Sequence, residues 1–146
     1  MSPASLPSRV PETWRFESTV SVLAVSPHHK DRARLREIFN SARWSLGDAE
    51  TWLEASRLMR SSRYEVVLAD NDMPGGWRQI FADFGQLSEA PLLIVTSRLA
   101  DDLLWAEVLN EGGHDVLATP FDHEEVVRVI SAASRRSQND SARNVA

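Results

Sequence analysis

Val66-Val67-Leu68-Ala69-Asp70-Asn71-Asp72-Met73-Pro74-Gly75 runs through four apolar residues, meets a carboxylate, and breaks at once into turn formers. Glu65–Ala69 reads as a strand. Its apolar run, with no in–out alternation, suits a strand covered on both faces, as in a parallel sheet. Asp70 then stands at the carboxyl end, and Asn71, Asp72, Pro74, Gly75 and Gly76 carry ordinary turn chemistry.

Outward from this stretch, similar runs recur at Val20–Val25, Pro91–Thr96 and Asp115–Ala118, with a weaker one at Trp44–Leu46. Each is followed by a helix-period segment. Ala33, Leu35, Ile38 and Phe39 share a face over about His28–Asn40, opposite Arg32, Arg34, Arg36 and Glu37. Trp52, Ala55, Leu58 and Met59 repeat at helical spacing, as do Ile80, Phe81 and Phe84. Leu103, Leu104 and Val108, then Val126, Val127 and Ile130, complete five helices. Gly112-Gly113 ends the fourth with the positive-φ residue that helix C-termini favour. Asp122 caps the fifth, and Glu124 and Glu125 complement its dipole.

Five strand–helix repeats predict right-handed crossovers and an α/β fold: a (βα)5 doubly wound five-stranded parallel sheet in a three-layer sandwich. The domain is expected over 18–135. Residues 1–17 read as a flexible N-terminal tail, because Pro3, Pro7 and Pro11 remove backbone donors and little there is apolar. Residues 136–146 read as a disordered C-terminal tail, with fraying expected from Ser134.

A chain of 146 residues and 16.4 kDa suits one domain with a self-sufficient core. The absence of cysteine removes disulfides, zinc–thiolate sites, iron–sulfur clusters and cysteine nucleophiles together. A formal charge of −5 argues against a phosphate-tracking nucleic-acid surface. The longest apolar runs are too short to span a bilayer, and no signal peptide is legible at the N-terminus, so a cytoplasmic location is expected.

In an open sheet of this kind, chemistry collects outside the carboxyl ends of the strands. That singles out Ser26-Pro27-His28, Asp70 to Gly76, Thr96-Ser97 and Thr119-Pro120. At these four points the sequence resembles the receiver domain of two-component response regulators, the CheY-like family, over about Thr19–Arg135. The resemblance implies a flavodoxin-like sandwich in which Asp70 accepts a phosphoryl group and Thr96 and Thr119 sense it. It implies a cis bond before Pro120, and a metal held by Asp70 and by the backbone carbonyl of Asp72. A carboxylate attacking a phosphoryl group needs such a cation to offset the charge.

The chain departs from the family pattern at three places. Ser26-Pro27 stands where the family has two carboxylates, and Thr119 stands where it has a lysine. Val116 replaces an aromatic that couples phosphorylation to the output face. Magnesium prefers hard oxygen ligands, so weak binding is expected, with the Asp72 side chain as a partial substitute ligand beside Asp70. Asp70 accordingly has two readings, a phospho-acceptor or a polar strand end capped by local donors. Ser26 and Pro27 read as an N-cap and first helical residue. His28 and His29, adjacent on a helix, do not face one site, which argues against a metal role.

The leading expectation is a receiver-like module acting through protein–protein contacts, with phosphorylation at Asp70 weakened or lost and no enzyme activity. No DNA-binding or catalytic output segment is legible in the chain. Trp105, on the fourth helix, and Val116 are the candidate partner surface, since tryptophan is enriched at interface hot spots. The expected partner is a histidine kinase or another signalling protein, and a homodimer stays open. The alternatives are a working phospho-receiver with an altered metal site, and a flavodoxin-like small-molecule binder or enzyme. Against the last stands the lack of a phosphate-cradling glycine run.

Overall fold

The computed structural model describes residues 20–87 and 89–145. Its elements are β1 (Ser21–Val25), α1 (His29–Ala42), β2 (Ser45–Ala49), α2 (Trp52–Ser61), β3 (Val66–Asp70), α3 (Gly76–Phe84), β4 (Leu92–Ser97), α4 (Asp102–Asn110), β5 (Asp115–Ala118) and α5 (His123–Val145). The five strands form one sheet in the order β2-β1-β3-β4-β5, and every pair is parallel. This is the expected doubly wound sandwich.

Successive residues of each strand feed opposite faces, so the sheet builds two cores. Val22, Ala24, Val66, Leu68, Ile94 and Leu117 pack against Leu35, Ile38 and Phe39 of α1 and Val126 and Ile130 of α5. Leu23, Val25, Val67, Ala69, Leu93 and Val95 pack against Ala55 of α2, Trp77, Ile80 and Phe84 of α3, and Leu104 and Val108 of α4. Each large side chain buried this way contributes roughly 1.5–3 kcal/mol. The continuous apolar runs are therefore the direct consequence of a helix layer on both faces.

Helix ends follow local chemistry. The Thr51 hydroxyl accepts from the Glu54 amide, the Asp101 carboxylate from the Leu104 amide, and Asp122 from the Glu125 amide. Each satisfies an amide that the helix itself leaves unpaired. Gly112, just beyond α4, has φ of 100°, which no side-chain-bearing residue adopts without strain.

Three expectations need correction. The weak second strand at Trp44–Leu46 is instead Ser45–Ala49, in register with β1 from Ser21↔Ser45 to Val25↔Ala49. Gly47 and Asp48 have poor strand propensity, so pairing rather than composition makes it a strand. The predicted fraying from Ser134 and the disordered tail at 136–146 give way to helix, because α5 continues to Val145. Ser134 Oγ and Gln138 Nε2 both donate to Glu65, at 2.8 and 3.2 Å, which ties this polar stretch to the entry of β3. Finally, Ser26 is not the N-cap of α1, and Pro27 is not its first residue. The Ser26 amide continues the ladder to the Ala49 carbonyl, its own carbonyl accepts from Arg32, and the helix starts later, with His28 at the N-cap. The proposed tail at 1–17 lies outside the described residues. Among the described residues, no helix is long and apolar enough to cross a membrane.

Candidate functional site

The parallel register brings the carboxyl ends of β1, β3 and β4 side by side, with β5 beyond. Asp70 is aligned with Thr96, and Ser97 with Ala118. Asp70 is 2% exposed, and both carboxylate oxygens are engaged. Oδ1 accepts the Asp72 amide at 2.8 Å, and Oδ2 accepts the Thr96 hydroxyl at 3.1 Å. Burial pushes the Asp70 carboxyl above its usual range, against the opposing pull of these two hydrogen bonds and of His28.

The loop after β3 is shaped by Gly75 and Gly76, whose φ angles are 84° and 76°. This left-handed pair turns the chain sharply into α3 and leaves Asp72 projecting at the rim. There Asp72 meets His28 from the end of β1. His28 Nε2 lies 2.8 Å from Asp72 Oδ2 and 3.6 Å from Asp70 Oδ1. His28, Asp70 and Asp72 thus offer one ligand atom each, all within 4.8 Å of one another, a group able to hold a metal ion.

Asp70, Asp72 and Thr96 come together as expected. Thr119 does not join them by hydrogen bond: its amide donates to the Ser97 carbonyl, and its buried hydroxyl has no partner among the described residues. The Thr119-Pro120 bond is cis, as the resemblance implied. Trp105 is 49% exposed, and with Val116, Asp101 and Glu125 it lines a groove of about 340 Å3. Leu99 and Leu103 are also largely exposed beside it in the chain.

Sequence reasoning missed His28. The argument that adjacent histidines do not share a site holds, since His29 is exposed, yet His28 alone reaches both aspartates. The available signal was its position, two residues past Ser26 at the mouth of the crevice. Asp31 was also missed. In the first turn of α1 it is buried, with Oδ2 lacking a hydrogen bond among the described residues and lying 3.8 Å from the Arg98 guanidinium.

The same architecture occurs in solved structures. A signal receiver domain of an HD domain-containing protein from Pseudomonas fluorescens Pf-5 matches with a TM-score of 0.73 and 20% identity, covering 83% of this chain and 98% of that one. The chain has the receiver-domain fold. A beryllofluoride-activated NtrC4 receiver domain, solved as a dimer, matches with a TM-score of 0.72 and 20% identity, over 82% of this chain and 98% of that chain. A two-component response regulator from Clostridium difficile matches with a TM-score of 0.69 and 18% identity, over 80% and 97%. No protein-family model matches the chain, and no curated protein does. The expectation of a CheY-like receiver domain thus agrees with the solved structures in architecture.

Magnesium is the ion that the receiver fold implies, and the donor set fits it poorly. Ser26 Oγ, in the place of the family's first carboxylate, is taken up by the His28 amide at 3.0 Å. The remaining ring is completed by an imidazole, a donor that hard cations do not favour.

Proposed function

We propose that this chain is a receiver-like module of two-component signal transduction that works through protein–protein contacts, with phosphorylation of Asp70 weakened or lost. The observation that carries this reading is His28. Its imidazole stands against Asp72 and Asp70, in the crevice where a phospho-receiver concentrates carboxylates around a magnesium ion. Magnesium is then expected to bind no tighter than the high-millimolar range, because Asp70 is the main surviving carboxylate ligand and Asp72 is tied to His28. Thr119 supplies no positive charge toward a phosphoryl group, which removes a charge-assisted hydrogen bond of about 1.5–3 kcal/mol. The output would run through the exposed Trp105 and the groove it shares with Val116, toward a histidine kinase or another signalling protein. A second copy of the chain is an alternative occupant.

One contact favours a second reading, a working phospho-receiver. Thr96 donates directly to Asp70, as a hydroxyl that follows phosphorylation would. Intact mass after acetyl phosphate and magnesium separates the two. The unaltered chain should gain no phosphoryl mass. The triple variant Ser26→Asp, Pro27→Asp, Thr119→Lys should gain one, and adding Asp70→Asn should abolish it. Efficient modification of the unaltered chain at Asp70 establishes the second reading instead. If the triple variant folds and binds magnesium but is never modified, the likeness is one of fold alone.

A further inference from the structure

We infer that His28, Asp70 and Asp72 form a binding site for a divalent transition ion of the zinc class, in preference to magnesium. The inference rests on the reading of this crevice as the functional site, and it names the ligand chemistry that the crevice accepts.

The donors are one imidazole nitrogen and two carboxylates. Imidazole suits zinc, cobalt and nickel, whereas magnesium selects oxygen ligands and keeps most of its water. Three protein ligands with one open position is the arrangement of many zinc sites that retain a water. With ligand bonds of about 2.0–2.2 Å, a tetrahedral ion places its donors about 3.4 Å apart. His28 Nε2 and Asp70 Oδ1 are already 3.6 Å apart, while His28 and Asp72 need only part slightly from their 2.8 Å hydrogen bond. That bond places the imidazole proton on Nε2, so an ion would take the proton's place, releasing it to solvent and leaving the ring protonated at Nδ1.

The surroundings hold the set in place. Asp70, the buried member, is oriented by the Asp72 amide and the Thr96 hydroxyl, the outer contacts that align a metal-binding carboxylate. Two hydrogen bonds still leave it free lone pairs for an ion. His28 and Asp72 remain solvent-accessible, so the ion has a path of entry. His28 comes from the end of β1, and the aspartates from β3 and its loop, so the site also clamps two neighbouring strands.

The test is equilibrium dialysis of the full chain against zinc with magnesium in large excess, alongside visible d–d absorption with cobalt. One zinc per chain should bind despite the magnesium, and cobalt should give a protein-dependent spectrum. His28→Ala should weaken zinc by at least about tenfold and change the cobalt spectrum, with magnesium affinity not reduced. Asp70→Asn should weaken zinc too, and His29→Ala should leave it unchanged. The inference is overturned if magnesium displaces zinc, or if His28→Ala binds zinc as tightly as the unaltered chain. The acetyl phosphate experiment is independent of this outcome. Phosphorylation with intact His28-dependent zinc binding removes the proposed function alone. Absence of both phosphorylation and zinc binding removes only the metal site.

Discussion

Thr96 at the end of β4 and Asp70 at the end of β3 are register partners, and the threonine hydroxyl donates to the aspartate Oδ2 at 3.1 Å in a buried setting. Without the hydroxyl, the buried Oδ2 loses this donor, while Oδ1 keeps the Asp72 amide. Thr96→Val should therefore lower stability by about 1–3 kcal/mol, while Thr96→Ser should retain most of it. Urea unfolding read at the midpoint, with an unchanged slope, checks this. Equal midpoints for the Val variant and the unaltered chain would show that the contact contributes nothing.

Ionised Asp70 is costly in the fold, since burial outweighs its hydrogen bonds and raises its pKa from 3.8. A raised carboxyl pKa means stability that is full below the unfolded value and is lost as pH rises through the folded one. At neutral pH and in chelator, Asp70→Asn should raise the melting temperature, and the gain should vanish toward acid pH. A lower melting temperature at neutral pH would show that the charge is net favourable.

His114 gives the opposite slope. Burial disfavours its imidazolium and lowers its pKa from 6.5, with Arg136 adding to the effect and Asp115 opposing it. The unfolded chain then binds the proton more readily, so this contribution is present above 6.5 and is lost as pH falls through the folded value. His114→Gln should flatten the fall in stability between neutral and mildly acidic pH. An unchanged pH profile would sink the assignment.

Trp105 and Trp77 should respond very differently to truncation. Trp77 is 2% exposed within the core formed with Ile80 and Phe84, so Trp77→Ala should cost about 3–5 kcal/mol. Trp105 is half-exposed, and its loss should shift stability by only about 0.5 kcal/mol. Comparable losses from denaturant midpoints would make Trp105 a core residue.

Ser134 and Gln138 of α5 are tied to an acid outside the helix, Glu65. Glu65→Ala removes the acceptor for Ser134 and Gln138 and should cost about 1 kcal/mol. Amide exchange from Ser134 onward should speed up. Unchanged protection there would mean the helix persists on local propensity.

The strands and the two-faced core were legible along the chain because a parallel sheet under two helix layers leaves a local mark. Val66–Ala69 and Leu93–Val95 are apolar at every position, and the helix caps Asp101 and Asp122 act within three residues of themselves. Asp70, Asp72 and Thr96 could be singled out because each stands at the carboxyl end of a strand or in the turn just beyond it. β2 was less legible, since its Gly47 and Asp48 form a strand only through pairing with β1. The helix beyond Ser134 was hidden for a similar reason: its anchor, Glu65, lies 69 residues away from Ser134 in the chain. His28 shows the limit most clearly. Its neighbour His29 and the turn at Ser26-Pro27 are local facts, but the contact with Asp72 spans 44 residues. Local pattern reports which face of an element is apolar. Only the crossover that sets β1 beside β3 decides that an imidazole and two carboxylates share one mouth.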